Sequence, residues 1–234
     1  MNIWSPDETG KRVYILGGER GTGKSELALN LALRFKEKYK IRIDLLDLDS
    51  QKAAFRSRDF QTGLKQIGIN FLVTAVSSLD IPVISPEISG VLRENKTENS
   101  PLAVIDLAGE PEGARILGAY QDFLGKAYEF WLVFNASRPF AQDFKQLLRW
   151  SKEIEAAVRL PFTGLVNNSH LMGKTNKIDL IESAEKARQL AQALKIPLVF
   201  HAVSEEMLEK GVELSEPVFP LKLLVKPPWE SLSQ

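Results

Sequence analysis

Val13-Tyr-Ile-Leu-Gly-Gly-Glu-Arg-Gly-Thr-Gly-Lys-Ser25 is the stretch on which the reading of this chain turns. An apolar run at 13–16 ends in glycines, and apolar residues with helical periodicity (Leu27, Leu31, Leu33, Phe35) follow over 25–38. Between them, Gly18-Glu19-Arg20-Gly21-Thr22-Gly23-Lys24-Ser25 satisfies G-x-x-x-x-G-K-[ST] in full, in the strand–turn–helix setting the pattern requires. Glycines let the backbone curl so that its N–H groups face inward around phosphate oxygens. The helix N-terminus adds its positive end. Lys24 is placed to reach the β- and γ-phosphates, and Ser25 to set a hydroxyl on Mg²⁺.

Working outward, short apolar runs at 41–48, 102–107, 130–134, 162–166 and 197–203 alternate with helical segments at 113–124, 141–158 and 178–194. Residues 50–100 are less regular, with a modest apolar run at 67–73. Continuous apolar strands separated by helices predict a three-layer α/β fold, a mostly parallel sheet with helices on both faces. One P-loop nucleoside-triphosphatase domain is expected over 1–234. Its tail, about 217–234, holds Pro217, Pro220, Pro227 and Pro228 and is expected to run extended across the surface. In such a sheet, ligands sit beyond the carboxyl ends of the strands, so polar residues following each strand are the site candidates.

Asp47 and Asp49 close the second strand with period-two spacing, which puts both carboxylates on one side of an extended chain. Beside a triphosphate loop they suit Mg²⁺ through water, or the orientation of an attacking water. Asp106 ends the run 102–107, the Walker B arrangement. Gly109, three residues later, lets a backbone N–H approach a γ-phosphate and makes 109–117 a candidate switch. Asn167 and Asn168 follow the run 162–166 with side-chain amides that suit a purine edge. The local sequence Asn167-Asn168-Ser169-His170 lacks the carboxylate of Asn-Lys-x-Asp that pairs with guanine, so ATP is favoured over GTP. Arg56, Arg58, Arg115 and Arg138 are candidates for an anionic substrate or an acidic partner.

Gly17 to Ser25, the Asp47-x-Asp49 strand end and Asp106-x-x-Gly109 together resemble the MinD/ParA/CobQ-type nucleotide-binding domain, among P-loop ATPases of the signal-recognition and MinD class. The segment Asp47-Leu-Asp-Ser-Gln-Lys-Ala-Ala-Phe-Arg-Ser-Arg-Asp59 and the Pro227-Pro-Trp-Glu230 tail are similar to a bacterial branch of that group. The resemblance implies that Lys24 and Ser25 bind phosphate and Mg²⁺, that Asp49 orients water, and that Asp106 is the Walker B acid. MinD- and ParA-like members carry a second lysine near the start of the loop that reaches the nucleotide of a dimer partner. This sequence has Glu19 there, followed by Arg20, so either Arg20 substitutes or the sandwich dimer is absent.

Of the 234 residues, 44% are hydrophobic and 26% charged, and 30 Lys and Arg balance 30 Asp and Glu, so nothing suggests the basic surface of a nucleic-acid binder. There is no cysteine, which excludes disulfides and an iron–sulfur cluster held by the chain's own thiolates. No run approaches the 18 or so apolar residues that cross a bilayer, and residues 1–12 lack the apolar core of a signal peptide. The expectation is a cytoplasmic Mg-ATP-dependent ATPase, a regulatory or assembly switch on an unidentified protein partner, with a homodimer open. Two alternatives stay open beside it. One is a ligase or kinase resembling dethiobiotin or cobyrinate amide synthases, with an anionic small-molecule acceptor. The other is a nucleotide sensor that barely hydrolyses.

Overall fold

Each short apolar run becomes a strand buried on both faces, and each periodic segment becomes a helix laid over it. The computed structural model describes residues 2–5, 11–49, 61–74, 84–94, 100–125, 128–169 and 175–224. β1 (Val13–Gly17) passes through the phosphate loop into α1 (Lys24–Lys38). β2 (Ile43–Asp47), α2 (Gln61–Gln66), β3 (Ile69–Val73), α3 (Pro86–Glu94), β4 (Leu102–Asp106), α4 (Pro111–Gly118) and α5 (Gln121–Leu124) follow. The second half holds β5 (Tyr128–Phe134), α6 (Phe144–Val158), β6 (Gly164–Asn167), α7 (Lys177–Leu194), β7 (Leu198–Ser204), α8 (Glu205–Glu209) and β8 (Val218–Leu221).

The eight strands form one sheet in the order β3-β2-β4-β1-β5-β6-β7-β8, with every pairing parallel. The alternation of side chains explains why both faces need helices. Val13 and Ile15 join one apolar cluster with Ala114, Trp150 and Ile154 from α4 and α6. Tyr14 and Leu16 join the other with Leu27, Leu31 and Phe35 from α1. The strand order reverses at β1, whose neighbours β4 and β5 diverge on either side, and this is the switch point at which open α/β sheets bind ligands.

Three boundaries differ from the sequence reading. The segment 113–124 is two helices, divided after Gly118. The segment 141–158 is a 3₁₀ turn, Pro139–Gln142, followed by α6, whose start is fixed by Asp143 accepting from the Gln146 N–H. The tail does not run across the surface at first: Val218–Leu221 pairs with β7 as the sheet's edge strand, where Pro220 is tolerated. Beyond it the Asn30 amide both donates to Lys222 O (2.9 Å) and accepts from Lys222 N (2.8 Å), and Glu26 Oε1 accepts from Leu224 N (2.6 Å). Those bonds pin the chain after β8 to α1, the helix that follows the phosphate loop.

Candidate functional site: the phosphate loop and its neighbours

The loop folds as its glycines demand. Gly21 and Gly23 have φ of +82° and +84°, in the left-handed region that side chains resist. A Cβ on Gly23 would also collide with the Asn168 amide nitrogen. Lys24 is buried and its ammonium folds back over the loop, donating to Gly18 O at 2.7 Å and Glu19 O at 3.1 Å. The Thr22 hydroxyl donates to the same Glu19 carbonyl at 2.9 Å. Two backbone carbonyls thus hold the lysine folded back over the loop. Ser25 is the half-buried second residue of α1, at the positive end of its dipole.

Three buried carboxylates stand at or just past the carboxyl ends of β2 and β4. Parallel pairing of β2 with β4 places Asp47 directly across from Asp106, and β1 pairs Leu16 with Asp106. Asp47, Asp49 and Asp106 are each less than 5% exposed. Asp47 Oδ1 also accepts from the Asp49 N–H at 3.0 Å, which turns the chain just past the strand end. Mg²⁺ takes one or two carboxylates plus phosphate oxygens and keeps several waters. Ser25 and the register-paired Asp47 and Asp106 are hard oxygen donors of the kind it takes, although among the described residues no group of three or more His, Cys, Asp or Glu side chains is gathered as a metal site.

Gly109 is wedged against the loop. A Cβ there would lie 2.8 Å from Arg20 N and 3.1 Å from Gly18 O, so main chain meets main chain. Two ties hold the segment. The Trp150 indole N–H, inside the core from α6, donates to Gly109 O at 3.2 Å. At the rim, Arg20 and Glu110 pair at 3.3 Å. Pro111 then starts α4, where its missing N–H costs nothing. Arg115, on α4, lines a surface groove of about 670 Å³ between α4 and α6 with Glu112, Glu153 and Arg159.

The two asparagines are engaged within the protein. Asn167 donates to Ser183 Oγ (3.3 Å) and to His201 Nδ1 (2.9 Å), and it accepts from Ser169 Oγ. Asn168, fully buried, donates to Thr22 O at 2.8 Å and so clamps the phosphate loop, while its Oδ1 has no hydrogen-bond partner among the described residues. His201 is a core residue. It accepts at Nδ1 and so donates from Nε2 to Glu216 at 3.0 Å, and burial holds its pKa below the ordinary value. Arg138 lies on the loop after β5 with its guanidinium against Gly21. Burial raises the Glu19 carboxyl, and Lys24, Arg138 and Arg20 oppose that rise. Arg56, Arg58 and His170 fall outside the described residues.

Sequence reasoning passed over Trp150 and gave Asn168 a different task. Trp150 carried a usable signal, because a tryptophan on the buried stripe of an amphipathic helix must find an acceptor for its N–H. Nothing local marks the Asn168–Thr22 contact, which joins residues 146 apart in the chain.

No family model matches the sequence, and no curated protein matches it. Solved structures do match the fold. The cell division protein FtsY from Thermotoga maritima has a TM-score of 0.55 at 20% identity, covering 87% of this chain and 64% of that one. Chloroplast FtsY from Physcomitrella patens has a TM-score of 0.55 at 16% identity, covering 92% and 66%. The signal recognition particle receptor FtsY from Elizabethkingia anophelis, in complex with GDP, has a TM-score of 0.51 at 17% identity, covering 86% and 60%. This chain therefore spans slightly under two-thirds of the length of these proteins. Among the described residues, no helix is long and apolar enough to cross a membrane. What the likeness carries is architecture: the chain has the α/β P-loop NTPase fold.

Proposed function

We propose that the chain is a Mg²⁺- and nucleoside-triphosphate-dependent switch that hydrolyses its nucleotide slowly and acts on a partner protein. One observation carries this reading. A complete phosphate-loop turn, with Lys24 folded over it, stands beside the register-paired Asp47 and Asp106. Gly109, the first residue of the candidate switch, packs on the same turn.

The residues divide the work. The loop N–H groups and the α1 N-terminus hold the phosphates, and Lys24 exchanges its two carbonyl partners for β/γ-phosphate oxygens. Ser25, Asp47 and Asp106 would hold Mg²⁺, which when bound would neutralise negative charge on the triphosphate. Asp49 orients the attacking water. The water oxygen bonds to the γ-phosphorus as the bond to the β–γ bridging oxygen breaks. That electron pair stays on the leaving diphosphate, and the water's proton passes to phosphate or solvent. Loss of the γ-phosphate removes the group that Gly109 N–H faces, and the 109–117 segment relaxes.

ATP is the nucleotide that the chain's own residues favour, since Asn167-Asn168-Ser169-His170 offers no carboxylate to guanine. GTP is the second reading, supported by the GDP held by the Elizabethkingia structure. The name of that protein, a receptor for a particle, supports a protein partner here as well. The ligase reading needs arginines gathered in front of the γ-phosphate. Of the two described, only Arg138 lies at the loop, and Arg115 lines the α4/α6 groove.

Calorimetric titration of the purified chain with Mg-ATP and Mg-GTP, alongside Lys24→Ala and with phosphate release followed at several protein concentrations, tests this. The expected result is binding of one nucleotide in clear preference, slow turnover, and loss of both in Lys24→Ala. A folded wild-type chain that binds neither nucleotide would sink the reading.

A further inference from the structure

We propose that Arg138 is a phosphate-contacting arginine supplied by this chain to its own nucleotide, set over the β–γ region by the loop that follows β5. The inference rests on the nucleotide reading above and deepens it by naming a fixed positive charge besides Lys24.

The placement is built into the structure. Gly21 is the apex of the phosphate loop, and its left-handed backbone leaves room where the Arg138 guanidinium sits. A Cβ on Gly21 would lie 3.3 Å from Arg138 Cζ and 3.4 Å from Nε. Arg138 is held there by a tied loop. Its own N–H donates to Asn135 O at 3.1 Å, Asn135 Oδ1 accepts from Ser137 N at 2.9 Å, and Ser169 Oγ accepts from Ala136 N at 2.8 Å. Asn135 and Ser169 are both buried. A surface arginine with no task needs no such anchorage.

Charge around the loop points the same way. Arg20 is drawn across to Glu110 at the rim. Lys24, Arg138 and Arg20 all attract the half-buried Glu19 carboxylate. Positive charge thus gathers at the loop, where a triphosphate brings several negative charges. Arginine suits this position because its planar fork donates two parallel hydrogen bonds to phosphate oxygens and stays ionised. Over the β–γ region it faces the oxygen that gains the electron pair when the terminal phosphate leaves, a charge that grows towards the transition state.

The test is titration of wild type, Arg138→Ala and Arg138→Lys with Mg-ATP, Mg-ADP, Mg-GTP and Mg-GDP, together with single-turnover hydrolysis. Arg34→Ala, an exposed charge on α1 paired with Glu37, is the charge-matched control. Arg138 is exposed, so its variants are expected to keep the wild-type melting temperature. Arg138→Ala should weaken triphosphate binding about tenfold or more, the scale of a lost charge-assisted hydrogen bond, and weaken diphosphate binding less. Hydrolysis should fall further than affinity. Arg138→Lys should recover part of the binding and little of the rate, because it keeps the charge and loses the fork. If wild type binds nucleotide and Arg138→Ala binds triphosphate equally well, Arg138 has no such role, while the proposed function stands. If wild type binds no nucleotide, both fall together.

Discussion

Gly109→Ala probes the contact between the loop after β4 and the phosphate loop. The added Cβ would lie 2.8 Å from Arg20 N, 0.6 Å short of the 3.4 Å at which ordinary packing begins. Its other near neighbours, Glu19 C and Gly18 O, each stand at 3.1 Å. All three are main-chain atoms, so no side-chain rotation relieves the overlap. Gly109 does not have a positive φ, so alanine incurs no left-handed penalty and the effect is steric. Overpacking of this kind costs about 1–3 kcal/mol. At about 2–4 °C per kcal/mol for a chain of this size, the melting temperature should fall by about 2–12 °C. Where the loop gives way instead, the cost moves into function: Gly109 N–H is displaced from the phosphates, and turnover should fall about tenfold or more. Calorimetric melting and phosphate release on one preparation separate the two outcomes. Gly63→Ala in α2, with nothing among the described residues within 4 Å of its Cβ, is the control, expected neutral or slightly stabilising. A Gly109→Ala protein that melts within about 1 °C of wild type and turns over at the same rate would refute the packing argument.

Three further outcomes follow from single contacts. Trp150→Phe keeps an aromatic ring but leaves Gly109 O without the indole donor; it should cost about 1–3 kcal/mol, read by melting, and remove the Trp150 share of any nucleotide-dependent emission change, read by fluorescence titration. Asn168→Ala removes the donor to the buried Thr22 carbonyl, and should lower stability by about 1–3 kcal/mol and weaken nucleotide binding, read by melting and calorimetric titration. For His201, burial holds the folded pKa below the ordinary 6.5 while the unfolded chain keeps that value, so the unfolded state binds the proton first as pH falls. Stability should therefore decline below about pH 6.5. Glu216, lowered chiefly by its hydrogen bond to Arg188, adds a further loss below the ordinary carboxylate range. His201→Gln should be less stable at pH 7 but show a flatter melting temperature between pH 7 and pH 5 than wild type. An equally steep decline in the variant would refute the assignment.

The parts legible in the sequence are those whose chemistry is local. Residues 18–25 spell out their own turn, because glycine spacing, a preceding strand and a following helix need no distant partner. The alternation of Tyr14 with Val13 and Ile15, each equally apolar, shows a strand covered on both faces before any partner strand is known. Lateral order is another matter. That β2 lies beside β4, so that Asp47 stands opposite Asp106, depends on how helices pack over the whole sheet, and no spacing in either segment encodes it. The roles of the asparagines were equally hidden. An amide suits a purine edge and a backbone carbonyl alike, and which one Asn168 meets is decided by Thr22, brought in from the far end of the chain. The edge strand at Val218–Leu221 was masked by its proline, which argues against a central strand but not against an edge one.

Of the two ties on Gly109 and its neighbour, magnitudes show which one transmits. The Arg20–Glu110 pair is 59% and 44% exposed on its two side chains, and solvent screening leaves an ion pair of that kind worth about 0–1 kcal/mol. The Trp150–Gly109 bond is buried, and breaking it strands a carbonyl in the core at about 1–3 kcal/mol. The rim pair therefore yields first, and the indole keeps hold. A displacement of Gly109 is then carried into α6 through a rigid ring packed beside Phe140, Ile154 and Ala114 rather than dissipated at the surface. Helices α4 and α6, which face each other across the groove lined by Arg115 and Glu153, are joined to Gly109 from opposite ends, α4 by the chain and α6 by Trp150. Movement at the phosphate loop that shifts Gly109 must therefore change the spacing of these two helices or break the Trp150 bond. The larger energy protects the Trp150 bond, so a shift of Gly109 is taken up in the spacing of α4 and α6 rather than in the loss of that bond.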